Sequence, residues 1–264
     1  MRLPRRLRHG EEATLVEHLD ELRSRIILSL GIVIVATIVA FVFQHSILHW
    51  LNGPLPPKIK AKGILTLGVA EPFLITFKIC IWVGVGVAFP LILWQIWGFF
   101  APAIAEHTQR VLVGFVLFAS VLLAGGVVFG YYIVLPKALV FLTTYNDKTF
   151  NVELQASSYY NFVLLILVGM GVVFELPIFV LALVRLGIVT SYRLRHTRRI
   201  GYFIVAVVAV ALPGVDPVTT TLEAIPLFVL YEGSIWLSVL MERYWMHGSD
   251  TSFEPDDFSG LDEL

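Results

Sequence analysis

Charged residues are scarce in this chain, and cysteine is nearly absent. Only 15% of the 264 residues are charged, whereas 57% are hydrophobic. Soluble domains carry roughly 25% charged residues, so this composition excludes an ordinary soluble fold and predicts a helical membrane protein. Cys80 is the single cysteine and lies in an apolar run. A disulfide framework and a cysteine metal site are thereby excluded.

Patterns that would indicate an enzyme or a cofactor are missing as well. The seven histidines lie in the polar start or near the predicted span ends, where solvated or interfacial roles are usual. No glycine-rich loop that could hold a phosphate is present. The net charge of −1 gives no reason to expect nucleic acid as a partner. We therefore expect no catalytic residue, no metal and no cofactor.

Six apolar segments predict an all-α membrane protein with six transmembrane helices. Five of them have roughly the length that a bilayer requires, which is about 20 residues. The fifth segment has only 13 residues. That is about 20 Å of helix, so the last two helices are expected to form a short hairpin. The segments are residues 26–43, 79–97, 111–135, 159–184, 200–212 and a last one that ends near residue 241.

The distribution of basic residues predicts which side of the membrane each loop faces. If the N-terminus is inside, inside segments hold 13 Lys and Arg residues and outside segments hold five. Cytoplasmic loops are enriched in these residues, so both termini are expected in the cytoplasm, with the chain in the cell membrane. The expected parts are an amphipathic start (1–25), a transmembrane domain (26–241) and an acidic, disordered tail (242–264).

Glu175 interrupts the fourth apolar segment, ten residues before the boundary at Arg185. A carboxylate at that depth costs at least ~2.5 kcal/mol on insertion scales, so something must offset the cost. One interpretation is a protonated side chain that is hydrogen-bonded to a neighbouring helix. The other is a functional group in a water-filled cavity or a partner site. Pro177 can kink the helix beside it.

An acidic cluster precedes the first apolar segment. It could be a solvated face of an amphipathic helix, supported by an i,i+4 pair of Glu21 with Arg25. It could instead bind a basic peptide, because arginine forks bind carboxylates bidentately and lysine cannot copy that geometry. The cluster consists of Glu17, Asp20 and Glu21.

Several motifs resemble those of the TatC family, the receptor of the twin-arginine protein translocase. The segment at residues 18–25, HLDELRSR, resembles the family's N-terminal motif. The family's outer and inner loops are resembled by EPF at 71–73 and QIWGFFAP at 95–102. Further matches are FELP at 174–177, Asp216, AIP at 224–226 and YE at 231–232. The matches keep the family's order over nearly the whole chain.

The resemblance implies a six-helix, concave receptor, not an enzyme, that binds twin-arginine signal peptides of folded proteins. It also implies single-span partners of the TatA and TatB type, several copies of the chain in the receptor complex, and use of the proton motive force. The implied signal-peptide site comprises Glu21, Leu22, Arg23, Phe99, Glu106 and Arg110. The implied partner-docking hairpin carries Asp216, Thr220 and Glu223, whereas Pro54 lies in an outer cap and Glu175 inside the concave face.

Two positions depart from the family pattern. Thr108 stands where the family often has a second acidic contact for arginine, and Glu106 lies two residues earlier. Glu106 either replaces the missing acid or is a helix cap or a solvated side chain. Glu223 stands where an apolar residue is expected.

Two other classes of protein are alternatives for a helical membrane chain with a carboxylate in a span. A proton-coupled small-solute transporter would use Glu175 as its proton site. Such carriers often show internal repeats and paired broken helices, whereas this sequence has no similar halves. An intramembrane hydrolase would need a nucleophile with its base, or metal ligands, at membrane depth, and the sequence offers neither.

We predict that Glu175→Gln keeps the fold and that Glu175→Lys does not support transport. Gln retains hydrogen bonding at similar volume, whereas Lys reverses the sign of a group whose partners are already placed. The measurement is export of a twin-arginine reporter protein at matched levels of the two variants. Normal export by Glu175→Lys would show that the position is neither buried nor functional.

Overall fold

The computed structural model describes residues 15–100, 108–145, 148–149, 152–185, 188–212 and 216–247. At residues 15–18, 100, 108–112 and 243–247 it describes the backbone alone. The acidic tail and Glu106 therefore lie outside the described residues.

The described chain is helical and divides into two compact units, of which the first ends at Val172 and the second begins at Val173. Unit one contains α1 (Leu15–Val42), α2 (Gln44–Leu51), α3 (Pro57–Lys62), α4 (Glu71–Phe100), α5 (Thr108–Phe129), a π-helical turn (Gly130–Val134), α6 (Leu135–Thr144) and nearly all of α7 (Ala156–Phe174). Unit two contains α8 (Leu176–Arg185), α9 (Ser191–His196), α10 (Arg198–Ala211) and α11 (Pro217–His247).

Helices α1 and α4 form the most extensive helix pair of unit one. α1 runs without a break from Leu15, so the amphipathic start and the first predicted span are one helix. Gly84 allows the close approach, because a Cβ added there would lie 2.8 Å from both Cα and N of Thr37. Small residues at helix crossings let membrane helices gain dispersion contacts between their backbones.

The third predicted span is longer than the sequence indicated. The sequence predicts an end at residue 135, but the helix continues through the π-helical turn into α6 and ends at Thr144. Pro136 lies in the first turn of α6, where its missing N–H is tolerated, so it does not stop the helix. Gly130 faces α7, and a Cβ there would lie 3.3 Å from that of Met170.

Glu175 marks a break within the fourth predicted span. α7 ends at Phe174 and α8 begins at Leu176. Pro177 explains the break, because it has no N–H for the carbonyl of Val173 and its ring crowds that carbonyl. The N–H of Phe179 donates to the carbonyl of Glu175 at 3.0 Å, so helical bonding resumes immediately.

Unit two is organised around α11, on which α8, α9 and α10 pack. α10 lies close to α11 at Gly201, because a Cβ there would overlap with the Tyr231 hydroxyl. Glu232 joins the same two helices: the Tyr202 hydroxyl donates to Oε2 at 2.7 Å, and Arg198 Nη2 lies 3.0 Å from Oε1. The buried apolar cluster of this unit consists of Val173, Val205, Ala209, Leu227, Tyr231 and Ile235.

The outer surface of the long helices is apolar, which identifies their surroundings as lipid. α1 alone leaves Ile26, Leu30, Ile34 and Ile38 more than half exposed. Soluble monomers do not leave such continuous apolar faces uncovered. Within the described residues, five stretches are long and apolar enough to cross a membrane: Leu19–Val42, Glu71–Phe99, Val113–Thr144, Ala156–Arg185 and Pro217–Glu242. The prediction of an all-α membrane protein is confirmed.

α10 corresponds to the remaining predicted span. It has 14 residues. At 1.5 Å per residue that is about 21 Å, against a hydrocarbon core of about 30 Å. The count of six spans and the division of the chain at residues 25 and 241 stay predictions.

We predict opposite effects of alanine at two glycines of α4. Gly84→Ala forces the α1 backbone away and should destabilise the protein by about 1–3 kcal/mol. Gly86 has no atom within 4 Å of an added Cβ. Gly86→Ala should therefore stabilise slightly, through better helix propensity. Thermal unfolding of the detergent-solubilised variants measures both, and equal unfolding temperatures would contradict the close approach.

Candidate functional site

The N-terminal part of α1 meets the C-terminal end of α4 through one side chain, Arg25. Its Nε and Nη2 donate to Glu21 Oε1 at 2.9 and 2.6 Å. Nη2 also donates to the carbonyl of Gly98 at 3.0 Å. Nη1 donates to the carbonyl and to the side-chain oxygen of Gln95 at 3.3 and 3.4 Å. We call this set of contacts the Arg25 staple.

The local sequence explains both the bonds of Arg25 to Glu21 and its bond to Gly98. Glu21 and Arg25 are four residues apart on α1, so they share one face of the helix. Gly98 lies in the last turn of α4, whose final carbonyls have no helical N–H to accept from. An arginine near a helix C-terminus can satisfy such a carbonyl and also interacts favourably with the helix dipole.

The Arg25 staple joins two of the motifs that resemble the TatC family, although they lie about 70 residues apart in sequence. Glu21, Leu22 and Arg25 are partly buried, whereas Arg23 is exposed. Phe99, next to Gly98, is partly buried as well. The spacing of Glu21 and Arg25 predicts an i,i+4 pair on one helix face, but it does not predict the connection to α4.

The remaining expected members of this site lie where the structure gives no side-chain description. Glu106 is outside the described residues, and of Thr108 and Arg110 only the backbone in the first turn of α5 is described. The assignment of Glu106 and Arg110 to the site stays a prediction.

The last residues of α2 and the segment that follows them up to α4, residues 50–70, form a cap that three tyrosines hold in place. The Tyr131 hydroxyl donates to the carbonyl of Trp50 at 2.5 Å, and the two rings stack with centroids 3.8 Å apart. The hydroxyl of Tyr159 donates to the carbonyl of Leu51 at 2.7 Å. The Tyr160 hydroxyl lies 2.9 Å from Asn52 Oδ1. None of these contacts is predictable from the sequence, because the tyrosines lie within apolar runs.

Glu71 closes the other end of the cap. One carboxylate oxygen accepts from the N–H groups of Leu67 and Gly68 at 2.7 and 3.0 Å. The other accepts from the N–H of Ser157 at 3.0 Å and from Gln155 Nε2 at 3.3 Å. A single carboxylate thus holds the end of the cap and the start of α7 together.

Pro54 lies in the first turn of the cap and is partly buried. The following Leu55 is buried, and its N–H lies 3.4 Å from the carbonyl of Asn52. Lys60 Nζ donates to the carbonyl of Gly53 at 3.0 Å and closes the cap on itself. These contacts are compatible with the structural role expected of Pro54.

Asp216 begins α11. Its Oδ1 accepts from the N–H of Thr219 at 2.9 Å, and its Oδ2 accepts from the Thr219 hydroxyl at 2.5 Å. This is the contact of a helix N-cap, which satisfies one of the free N–H groups of the first turn. Thr220 is partly buried beside it.

Glu223 lies one turn further along α11, on the same side as the buried Thr219 and Leu227. It is completely buried, and neither carboxylate oxygen has a hydrogen-bond partner among the described residues. The side chain therefore faces inward, and contact with another protein would require α11 to move. Glu175 is partly buried at the break between α7 and α8.

The comparisons with known proteins agree with these motifs. The family model for the "Sec-independent protein translocase protein (TatC)" matches residues 17–226. The TatC protein of Deinococcus radiodurans is 38% identical over 233 residues, which cover 86% of each chain. That of Aquifex aeolicus is 37% identical over 232 residues, which cover 87% of this chain and 96% of the relative.

Solved structures give the same result. A crystal structure described as the twin arginine translocase receptor TatC in DDM superposes with a TM-score of 0.74. It is 34% identical in sequence, and the match covers 84% of this chain and 99% of that one.

The fold and the matched motifs define a multi-pass helical membrane protein of a non-enzymatic protein-transport class. The chain belongs to the TatC family. It is thereby a component of the Sec-independent, or twin-arginine, protein translocase, and the resemblance drawn from its motifs is confirmed.

We predict that Glu71→Ala releases the cap. The substitution removes the acceptor of three backbone N–H groups, and a buried or partly buried N–H without a partner is unfavourable. Trypsin should then cut after Lys58, Lys60 and Lys62 many times faster, as measured by mass spectrometry of the fragments. Glu153, an exposed acid on the neighbouring segment, provides the control Glu153→Ala. Equal cleavage of the two variants would contradict the role of Glu71.

Proposed function

We propose that this protein is the receptor subunit that binds twin-arginine signal peptides of folded proteins. The surface proposed for binding consists of the N-terminal part of α1 and the C-terminal end of α4. The observation that carries the proposal is the Arg25 staple, because it brings the Glu21 carboxylate beside the segment that contains Phe99. Carboxylates bind guanidinium groups with charge-assisted hydrogen bonds, which suits a paired-arginine ligand.

The orientation of the chain supports the same proposal. Arginines cluster before and within the start of α1 and again in α9 and at the start of α10, and a single one, Arg110, lies in the first turn of α5. Basic loops lie on the cytoplasmic side of cell membranes. We therefore place both termini and the Glu21 surface in the cytoplasm, where signal peptides arrive. Arg23, Leu22, Glu106 and Arg110 complete the proposed site.

Export itself is proposed to require single-span partners and the proton motive force. α10 and the start of α11 are proposed as the docking region for partner helices. α10 leaves Ile200, Phe203, Ile204, Val207 and Val210 more than half exposed, which gives a partner helix an apolar face to pack on. The N-cap at Asp216 fixes the start of α11, and Thr220 is a polar residue of its first turn. Glu223 is buried, so it is proposed to take part in docking only if α11 moves.

Glu175 is proposed to be a functional polar group at membrane depth. Its position at the break between α7 and α8 supports this role. An interrupted helix leaves backbone N–H and C=O groups without helical partners, and polar side chains can hydrogen-bond to them. Several copies of the chain are proposed to act together in the receptor complex.

We predict that Glu21→Ala weakens binding of a twin-arginine peptide by roughly 10- to 150-fold. Each hydrogen bond that involves charged groups contributes about 1.5–3 kcal/mol, and the substitution removes at least one. Fluorescence anisotropy of a labelled peptide with the purified protein is the measurement. Asp20 is exposed and adjacent, so Asp20→Ala serves as the matched control and should bind like the parent. Equal affinities of the two variants would refute the proposed site.

Glu106 is tested in the same assay. If it replaces the acid absent at Thr108, Glu106→Ala alone should weaken binding, and the double variant with Glu21→Ala should bind more weakly than either. Thr108→Glu in the Glu106→Ala background should then restore binding. Parental affinity of Glu106→Ala would leave Glu21 as the acid that binds the peptide and remove Glu106 from the site.

A further inference from the structure

We infer that Arg25 is a positioning residue for signal-peptide binding. It holds one oxygen of the Glu21 carboxylate, leaves the other for an arginine of the peptide, and stays in place when the peptide binds. This inference rests on the proposed function, since it names how the same site is prepared. The alternative is that Arg25 occupies the site of the peptide's arginine and is displaced by it.

The first observation is that Arg25 uses only half of the carboxylate. A guanidinium that binds a carboxylate side by side contacts both oxygens. Here Nε and Nη2 both converge on Oε1, at 2.9 and 2.6 Å. Among the described residues, Glu21 Oε2 receives no hydrogen bond. One oxygen with its lone pairs therefore remains available for a second guanidinium.

The second observation is the number of contacts that displacement would break. The guanidinium of Arg25 makes five hydrogen bonds, of which three go to Gln95 and Gly98. A peptide arginine at Glu21 could replace the two bonds to the carboxylate. The carbonyl of Gly98, at the end of α4, would lose its side-chain donor. Retaining Arg25 avoids that loss.

The third observation is that α4 has no side chain where the guanidinium lies. A Cβ added at Gly98 would be 2.5 Å from Nη1, 3.3 Å from Cζ and 3.4 Å from Nη2 of Arg25. Gly86 of the same helix has nothing within 4 Å of an added Cβ. The backbone of Gly98 is helical, so glycine is not needed there for an unusual backbone conformation. What the position needs is the absence of a side chain, which leaves room for the guanidinium.

The two possibilities predict opposite changes in the affinity for the peptide. If Arg25 is displaced by the peptide, weakening its hold should tighten peptide binding. Removing a positive charge beside the site should also tighten binding of a cationic ligand, by electrostatics alone. If Arg25 positions Glu21, the same changes should weaken binding, because the carboxylate loses its fixed orientation.

The main test is Gly98→Ala, which moves the guanidinium without changing any charge. Gly86→Ala is the matched control on the same helix. Purified full-length protein in lipid nanodiscs is titrated against a labelled twin-arginine peptide and its twin-lysine counterpart. We expect Gly98→Ala to bind the twin-arginine peptide roughly 3- to 10-fold more weakly, with a smaller arginine-to-lysine preference. Gly86→Ala should match the parent.

Arg25→Gln provides a second route to the same result. It should weaken binding similarly, and adding Gly98→Ala to it should change nothing more, because the guanidinium that the methyl group displaces is gone. In a Glu21→Gln background, neither Gly98→Ala nor Arg25→Gln should alter the arginine-to-lysine preference. Arg25→Lys keeps the charge but not the fork, and should recover only part of the affinity.

Tighter binding by Gly98→Ala or Arg25→Gln would overturn the inference in favour of displacement. Equal losses with and without the Glu21 carboxylate would also overturn it, because Arg25 would then only hold α1 against α4. A parent protein that binds both peptides equally would refute the proposed function itself. That result is distinguishable, because it appears before any variant is compared.

Discussion

The structure depends on hydrogen bonds from side chains to backbone groups at the ends of helices. An N–H or C=O group at a helix end has no partner within its own helix, so a side chain can supply the missing hydrogen bond. The tyrosine hydroxyls reach the last carbonyls of α2, and Arg25 reaches the last turn of α4. Glu71 and Asp216 do the converse for N–H groups. Each of these side chains supplies a hydrogen-bond partner to a backbone group that has none in its own helix.

This use of polar side chains explains how so few charges organise so apolar a chain. Arg25, Glu71 and Glu232 each join two elements that are distant in sequence or separated by a loop. Small residues such as Gly84 and Gly130 let neighbouring helices pack closely. The charged groups then determine which helix ends contact each other, because only one geometry satisfies all their hydrogen-bond partners.

Hydropathy predicted the long helices because length and composition alone decide whether a helix can span lipid. It misplaced the end of the third span, since Pro136 is tolerated in the first turn of α6. The site was only half predictable. Glu21 and Arg25 share a helix face by their spacing, but nothing local in the sequence indicates a bond to Gly98. The inward direction of Glu223 likewise follows from the packing of α11, which a sequence pattern does not specify.

The pairing of α1 with α4 has a consequence for biogenesis. A ribosome delivers α1 long before α4, so the first helix must wait in the bilayer without its main neighbour. The apolar surface of α1 allows it to remain in the bilayer alone, as expected when membrane helices insert first and associate later. Arg25 can donate to the carbonyl of Gly98 only after about 70 further residues have been synthesised. The surface that α1 and α4 form together is therefore completed late in membrane insertion, and a chain truncated before α4 would lack it.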